Sequence, residues 1–215
     1  MTIPKILEKL KNYADSVHTP IDDLKAVRQN DPFKSLIATM LSAQSQDKIT
    51  APVCAKLFEN YATPQAFLTL SQEELEEKIF PITYYHTKAK HILQTCHILI
   101  SKHDAKVPST FSQLTSLPGV GPKTANVILG EVFQIPAMIV DTHAHRISNR
   151  LGIIRTKTRE QSQIALEKAL PKKEWVSYNN NIIKLGQTIC TPRNPQCHSC
   201  PLQKLCPKIG VISQK

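Results

Sequence analysis

Residues 117–125 read Leu117-Pro118-Gly119-Val120-Gly121-Pro122-Lys123-Thr124-Ala125. Two of the six glycines in the 215-residue chain stand two apart here. They lie between a short helix-like segment, Phe111 to Ser116, and a longer one beginning at Pro122. Glycine permits a tight bend and the close approach of a second backbone, and proline suits the first turn of a helix. The stretch therefore predicts helix, tight turn, helix. The amides of Gly119, Val120 and Gly121 then point outward beside a helix N-terminus, an arrangement that binds anions. Lys123 falls in the first helical turn, where the dipole and the unpaired amides disfavour a positive charge. That placement suits an amine that must act as a nucleophile. It equally suits a solvent-facing lysine that touches a phosphate.

Helical periodicity extends outward from this stretch. Ile3, Ile6, Leu7, Leu10, Ala14 and Val17 share one stripe, with Lys5, Glu8, Lys9 and Lys11 off it. Asp31-Pro32 supplies an N-cap and a first-turn proline for a helix burying Phe33, Leu36, Ile37, Met40 and Leu41. Ser71-Gln72-Glu73-Glu74 is a capping box. Residues 84–102 place Ala89, Ile92, Leu93, Cys96, Leu99 and Ile100 on a helical face. Further helices are predicted over 122–133, 142–151, 158–170 and 175–186. No stretch alternates with period two for long enough to mark a strand. With 15 prolines punctuating such patterns, the fold class is all-α, about ten helices joined by short loops.

Lys plus Arg is 27 and Asp plus Glu is 17, a formal charge of +10. With a pI near 9.4, a polyanionic partner is favoured: nucleic acid first, an acidic membrane surface second. From Lys172 to Lys215 there are seven basic residues and one acidic, Glu174. No span of about 20 apolar residues exists to cross a bilayer. The first nine residues scatter charges where a signal peptide needs an apolar run. A cytoplasmic, reducing compartment is expected, with no membrane partner. Of six cysteines, Cys54 and Cys96 read as small buried apolar residues. Cys190-x6-Cys197-x2-Cys200-x5-Cys206 places four thiols within 17 residues. In a reducing compartment these are metal or cluster ligands rather than disulfides. One C-x2-C knuckle where a zinc ribbon has two, and the tolerance of a [4Fe–4S] cluster for unequal spacing, leave both metals open on chemistry alone. Asp141, in Val140-Asp141-Thr142-His143-Ala144-His145-Arg146, reads as a helix N-cap or as a carboxylate that stabilises a developing cation.

Taken together, these segments resemble the endonuclease III family of DNA base-excision glycosylases, within the helix–hairpin–helix superfamily. The resemblance spans essentially the whole chain. It is carried by Leu41-Ser42-Ala43-Gln44 with Asp47, by Leu117 to Ala125, by Val140 to His143 with Arg146, and by Pro192-Arg193-Asn194-Pro195 inside the four-cysteine signature. It implies two helical domains flanking a DNA-binding cleft, a six-helix domain over 23–134 and a discontinuous cluster domain over 1–22 plus 135–215. It implies Lys123 as Schiff-base nucleophile, Asp141 as catalytic carboxylate, and Cys190, Cys197, Cys200 and Cys206 as [4Fe–4S] ligands. By the same resemblance Gln44 is expected to enter the gap left by a flipped base, and Arg193 to contact phosphate. Gly119, Val120, Gly121, Thr124 and His143 join the DNA contacts. The expected partner is double-stranded DNA with damaged pyrimidines or abasic sites. The protein is expected to act as a nucleoid-associated monomer, as a bifunctional glycosylase and abasic-site lyase on oxidised pyrimidines.

One departure stands out. The family commonly has glycine followed by an apolar side chain where this chain has Thr83 and Tyr84. Tyr84 is expected to wedge into the duplex by stacking, with core packing beside Tyr85 as the alternative.

Overall fold

In the computed structural model, which describes residues 2–211, proline and capping side chains set most helix starts; Lys215, the last of the basic run, lies outside the described residues. The α-helices are α1 (Ile3–Ser16), α2 (Pro20–Arg28), α3 (Pro32–Ser42), α4 (Asp47–Asn60), α5 (Pro64–Phe67), α6 (Gln72–Ile79), α7 (Tyr85–His103), α8 (Phe111–Thr115), α9 (Pro122–Val127), α10 (Thr142–Arg150), α11 (Arg159–Ala169) and α12 (Trp175–Thr188). No strand occurs among the described residues. Asp31 Oδ1 accepts from the Lys34 amide at 2.7 Å. Ser71 and Glu74 complete both halves of the capping box.

Three helices beyond those marked by periodicity are present. The nine-residue α2 is largely polar, Pro52 interrupts the pattern of α4, and α5 is a single turn. The helix predicted over 122–133 is α-helical only to Val127 and continues as a π-helix over Ile128–Val132. In that wider turn Glu131 accepts from Arg28 at 2.9 Å and pairs with Lys25 at 3.5 Å.

The chain forms two compact units, one of Pro20–Ile135 and one of the residues up to Thr19 together with those from Pro136 onward. The first holds α2 to α9 around fully buried Leu36, Ile37, Leu41, Ile92 and Leu99. Cys54 and Cys96 are buried in it, and desolvation pushes both thiols up to about 12. In the second, α1 packs along α12, and Ile6, Leu10, Ile147, Leu166, Ile182 and Leu202 share one core. Lys184 of α12 donates to the carbonyls of Ala14 and Val17 at the end of α1, where a cation opposes the negative end of the helix.

Candidate functional site

In the Pro20–Ile135 unit, the turn between α8 and α9 is closed by the Val120 amide on the Leu117 carbonyl (3.1 Å). Thr95 of α7 donates to the Pro118 carbonyl at 3.1 Å and anchors it. The two glycines serve different purposes. Gly119 has φ +76°, and a Cβ there would stand 3.0 Å from His91 and 3.2 Å from Met40. It is required by the protein's own interior. Gly121, the N-cap of α9, has an ordinary φ of −87° and no neighbour within 4 Å of a Cβ. No described residue requires glycine there; the open space lies beside uncapped helix amides, where a bulky anion fits. Val120 and Thr124 are buried, while Lys123, second residue of α9, is exposed.

An open cavity of about 270 Å³ lies beside the turn, lined by Met40, Gln44, Tyr84, Lys88, His91 and Gly119. Gln44 (φ 55°) and Tyr84 (φ 59°) both adopt left-handed backbone, and both are exposed. At 61 % exposure Tyr84 is not a core residue. Positive φ falls on Tyr84 and not on Thr83, so glycine is not needed at 83. Lys88, by contrast, is buried. Its ammonium donates to the carbonyls of Leu41 and Ala43, each at 2.7 Å, and burial lowers its pKa to about 8.

In the other unit, Asp141 is buried and caps α10, its Oδ1 accepting from the Ala144 amide at 2.8 Å. His143 packs against α12, where a Cβ at Gly186 would overlap the imidazole ring. Arg146 bonds His143 Nδ1 (3.1 Å) and the Cys190 carbonyl (2.9 Å). Arg150, buried one turn further on, donates to the carbonyls of Thr191 and Pro192, both at 2.7 Å, and to Cys190 Sγ at 3.3 Å. The Arg150 carbonyl receives the Cys206 thiol (3.4 Å) and the Ile209 amide (3.1 Å). One residue thus clamps both ends of the cysteine loop. Arg193 is exposed on that loop.

Cys190, Cys197, Cys200 and Cys206 are free thiols that line one pocket. Four thiols around one pocket fit a cluster held by four thiolates.

Sequence reading singled out neither Lys88 nor Arg150. The signal was there: Lys88 shares its helical stripe with Ile92 and Leu99, and Arg150 follows Ile147 on another. A lone cation on an apolar stripe must find carbonyls or an anion.

Comparison with known proteins matches two regions of the chain. A family described as HhH-GPD superfamily base excision DNA repair protein matches residues 37–172. The iron-sulfur binding domain of endonuclease III matches residues 190–206. The chain is 42% identical over 179 residues to endonuclease III of Thermotoga maritima, covering 83% of this chain and 84% of that one. Its structure is similar to that of a non-covalent endonuclease III–DNA complex, with TM-score 0.86 and 38% identity over 96% of this chain and 94% of that one. It is also similar to a trapped endonuclease III–DNA covalent intermediate in an estranged-adenine complex, with TM-score 0.81 and 37% identity over 97% of each chain. No helix among the described residues is long and apolar enough to cross a membrane.

Proposed function

The chain belongs to the endonuclease III family of base-excision DNA repair proteins, and from that membership we propose how its own residues divide the work. It is a DNA glycosylase and abasic-site lyase that carries a [4Fe–4S] cluster. Its substrates are oxidised pyrimidines and abasic sites in duplex DNA, on which it acts as a monomer. The target base leaves the stack at a cost of roughly a few kcal/mol, least for a damaged pair. The Lys123 amine attacks C1′ of the sugar. The glycosidic pair departs with the base, which takes up a proton, and the Asp141 carboxylate offsets positive charge on the sugar. The sugar ring opens as the lysine nitrogen forms an imine to C1′. That imine acidifies the 2′ proton; its loss expels the 3′ phosphate, and water then hydrolyses the imine to return the amine.

Gln44 and Tyr84 fill the space left by the flipped base. The amides of Gly119, Val120 and Gly121 hold a backbone phosphate beside α9, Thr124 joins that contact, and His143 makes a DNA contact of its own. Cys190, Cys197, Cys200 and Cys206 would hold the cluster, which would crosslink residues 190–206, and Arg193 on that loop contacts phosphate. The hairpin domain spans 23–134, with the eight helices α2 to α9 where six were expected, and the cluster domain 1–22 plus 135–215, a division that the two compact units support.

The likeness to a trapped covalent complex over nearly the whole chain carries this reading, together with an exposed lysine at the glycine turn. Borohydride reduction in the presence of lesion-bearing duplexes tests it. Wild type should give a covalent adduct with oxidised-pyrimidine and abasic duplexes. Lys123→Gln should bind the same duplexes and give none. An adduct retained in that variant places the nucleophile elsewhere.

A further inference from the structure

Gln44 and Tyr84 lie on separate loops, one after α3 and one before α7, yet both tips hold a backbone conformation disfavoured for any residue with a Cβ. Such conformations persist where surrounding structure over-determines them. A single chain of hydrogen bonds links the two loops here. Thr83, next to Tyr84, donates its amide to Ser45 Oγ at 3.1 Å, and Ser45 is next to Gln44. Lys88 Nζ reaches the same hydroxyl at 3.4 Å while gripping the Leu41 and Ala43 carbonyls. The Lys88 amide in turn donates to the Tyr84 carbonyl at 3.0 Å and closes the first turn of α7. One buried ammonium therefore fixes the end of α3, the loop carrying Gln44 and, through Ser45, the residue before Tyr84.

We propose that Lys88, Ser45 and the Thr83 amide form a brace that makes Gln44 and Tyr84 a single two-pronged wedge, entering duplex DNA together. Lys88 and Ser45 are positioning residues in this scheme. Thr83 serves the brace through its amide, and glycine there would leave the loop more backbone freedom to lose on ordering. The inference rests on the reading of Gln44 and Tyr84 as gap-filling side chains. Prongs held by one brace fail together, so their truncations are strongly non-additive; prongs released from each other lose activity independently.

The test compares cleavage of an abasic site in duplex and in single-stranded DNA. It uses Gln44→Ala, Tyr84→Ala and the double variant, each in the native and in the Ser45→Ala background. In the native background each single change should lower duplex kcat/KM by about tenfold, and the double by scarcely more. After Ser45→Ala the two losses should multiply, a change in coupling on the order of fivefold or more. Single-strand cleavage by Ser45→Ala and by Thr83→Gly should match wild type while their duplex kcat/KM falls. Lys88→Met should act in the same direction. Should it fold poorly because the end of α3 is left open, Ser45→Ala decides, since it leaves both carbonyl bonds in place. Losses that multiply already in the native background, or a Ser45→Ala variant with unchanged coupling, overturn the brace. Gln44→Ala and Tyr84→Ala variants that keep the native ratio of duplex to single-strand activity overturn the gap-filling reading itself, and the brace with it.

Discussion

Asp141 meets two demands with one side chain. Its Oδ1 caps α10, and the mechanism asks for a negative charge at the same carboxylate. The two separate cleanly by substitution, because asparagine caps a helix about as well as aspartate whereas alanine does not. Asp141→Asn should unfold at the wild-type urea midpoint and excise thymine glycol far more slowly. Asp141→Ala should lose about 1 kcal/mol of stability in addition. Equal activity in wild type and Asp141→Asn would reduce the residue to a cap. Lys88 offers a second measurement at this scale. Burial holds its folded pKa near 8, below the ordinary lysine value of 10.5. The cost of the buried ammonium is fully present below pH 8 and is relieved as pH rises from about 8 toward 10.5, because the folded state there binds fewer protons than the unfolded chain. The stability of wild type relative to Lys88→Met should therefore increase between pH 7 and pH 9.5 in urea titrations. An unchanged difference would mean that the carbonyls hold the ammonium protonated throughout.

At the scale of elements, caps and prolines were legible because their chemistry is local: Asp31 with Pro32, the Ser71–Glu74 box and Pro122 each start a helix where the sequence says so. The end of the helix after Pro122 was not legible. Its π-turn presents Glu131 to Arg28, a residue 103 positions away, and periodicity carries no information about such a partner. The same limit hid the clamp on the cysteine loop, since Arg150 meets Thr191 and Pro192 only in the folded chain. Its guanidinium spans two carbonyls and a sulfur, a geometry that the point charge of lysine does not reproduce. Arg150→Lys should therefore be isolated with less iron per chain and a weaker brown absorbance, at near-native helix content. Cys197→Ser should go further, losing colour and soluble yield, because one absent thiolate leaves an iron open. A colourless wild type with one zinc per chain would refute the cluster ligands as assigned.

For the whole molecule, composition indicated the class of partner before any motif did: a charge of +10 on 215 residues suits a polyanion. It was silent on which cations meet phosphate. Burial removes Arg28 and Arg150 from that set by committing them to internal partners, whereas Arg193 stands exposed on the cysteine loop. Each phosphate neutralised by the protein releases condensed counterions and contributes about 0.9 to the slope of log affinity against log salt. Arg193→Ala should therefore flatten that slope by about 1 when binding is measured from 50 to 200 mM salt. The loss should be the same for damaged and undamaged duplex, because a phosphate contact carries no information about the base. Tyr84→Ala should behave oppositely, weakening binding to the damaged duplex while leaving the salt slope intact, since stacking releases no counterions. An Arg193→Ala protein with the wild-type slope would place the side chain off the DNA, leaving the Cys190–Cys206 loop to act on the fold alone.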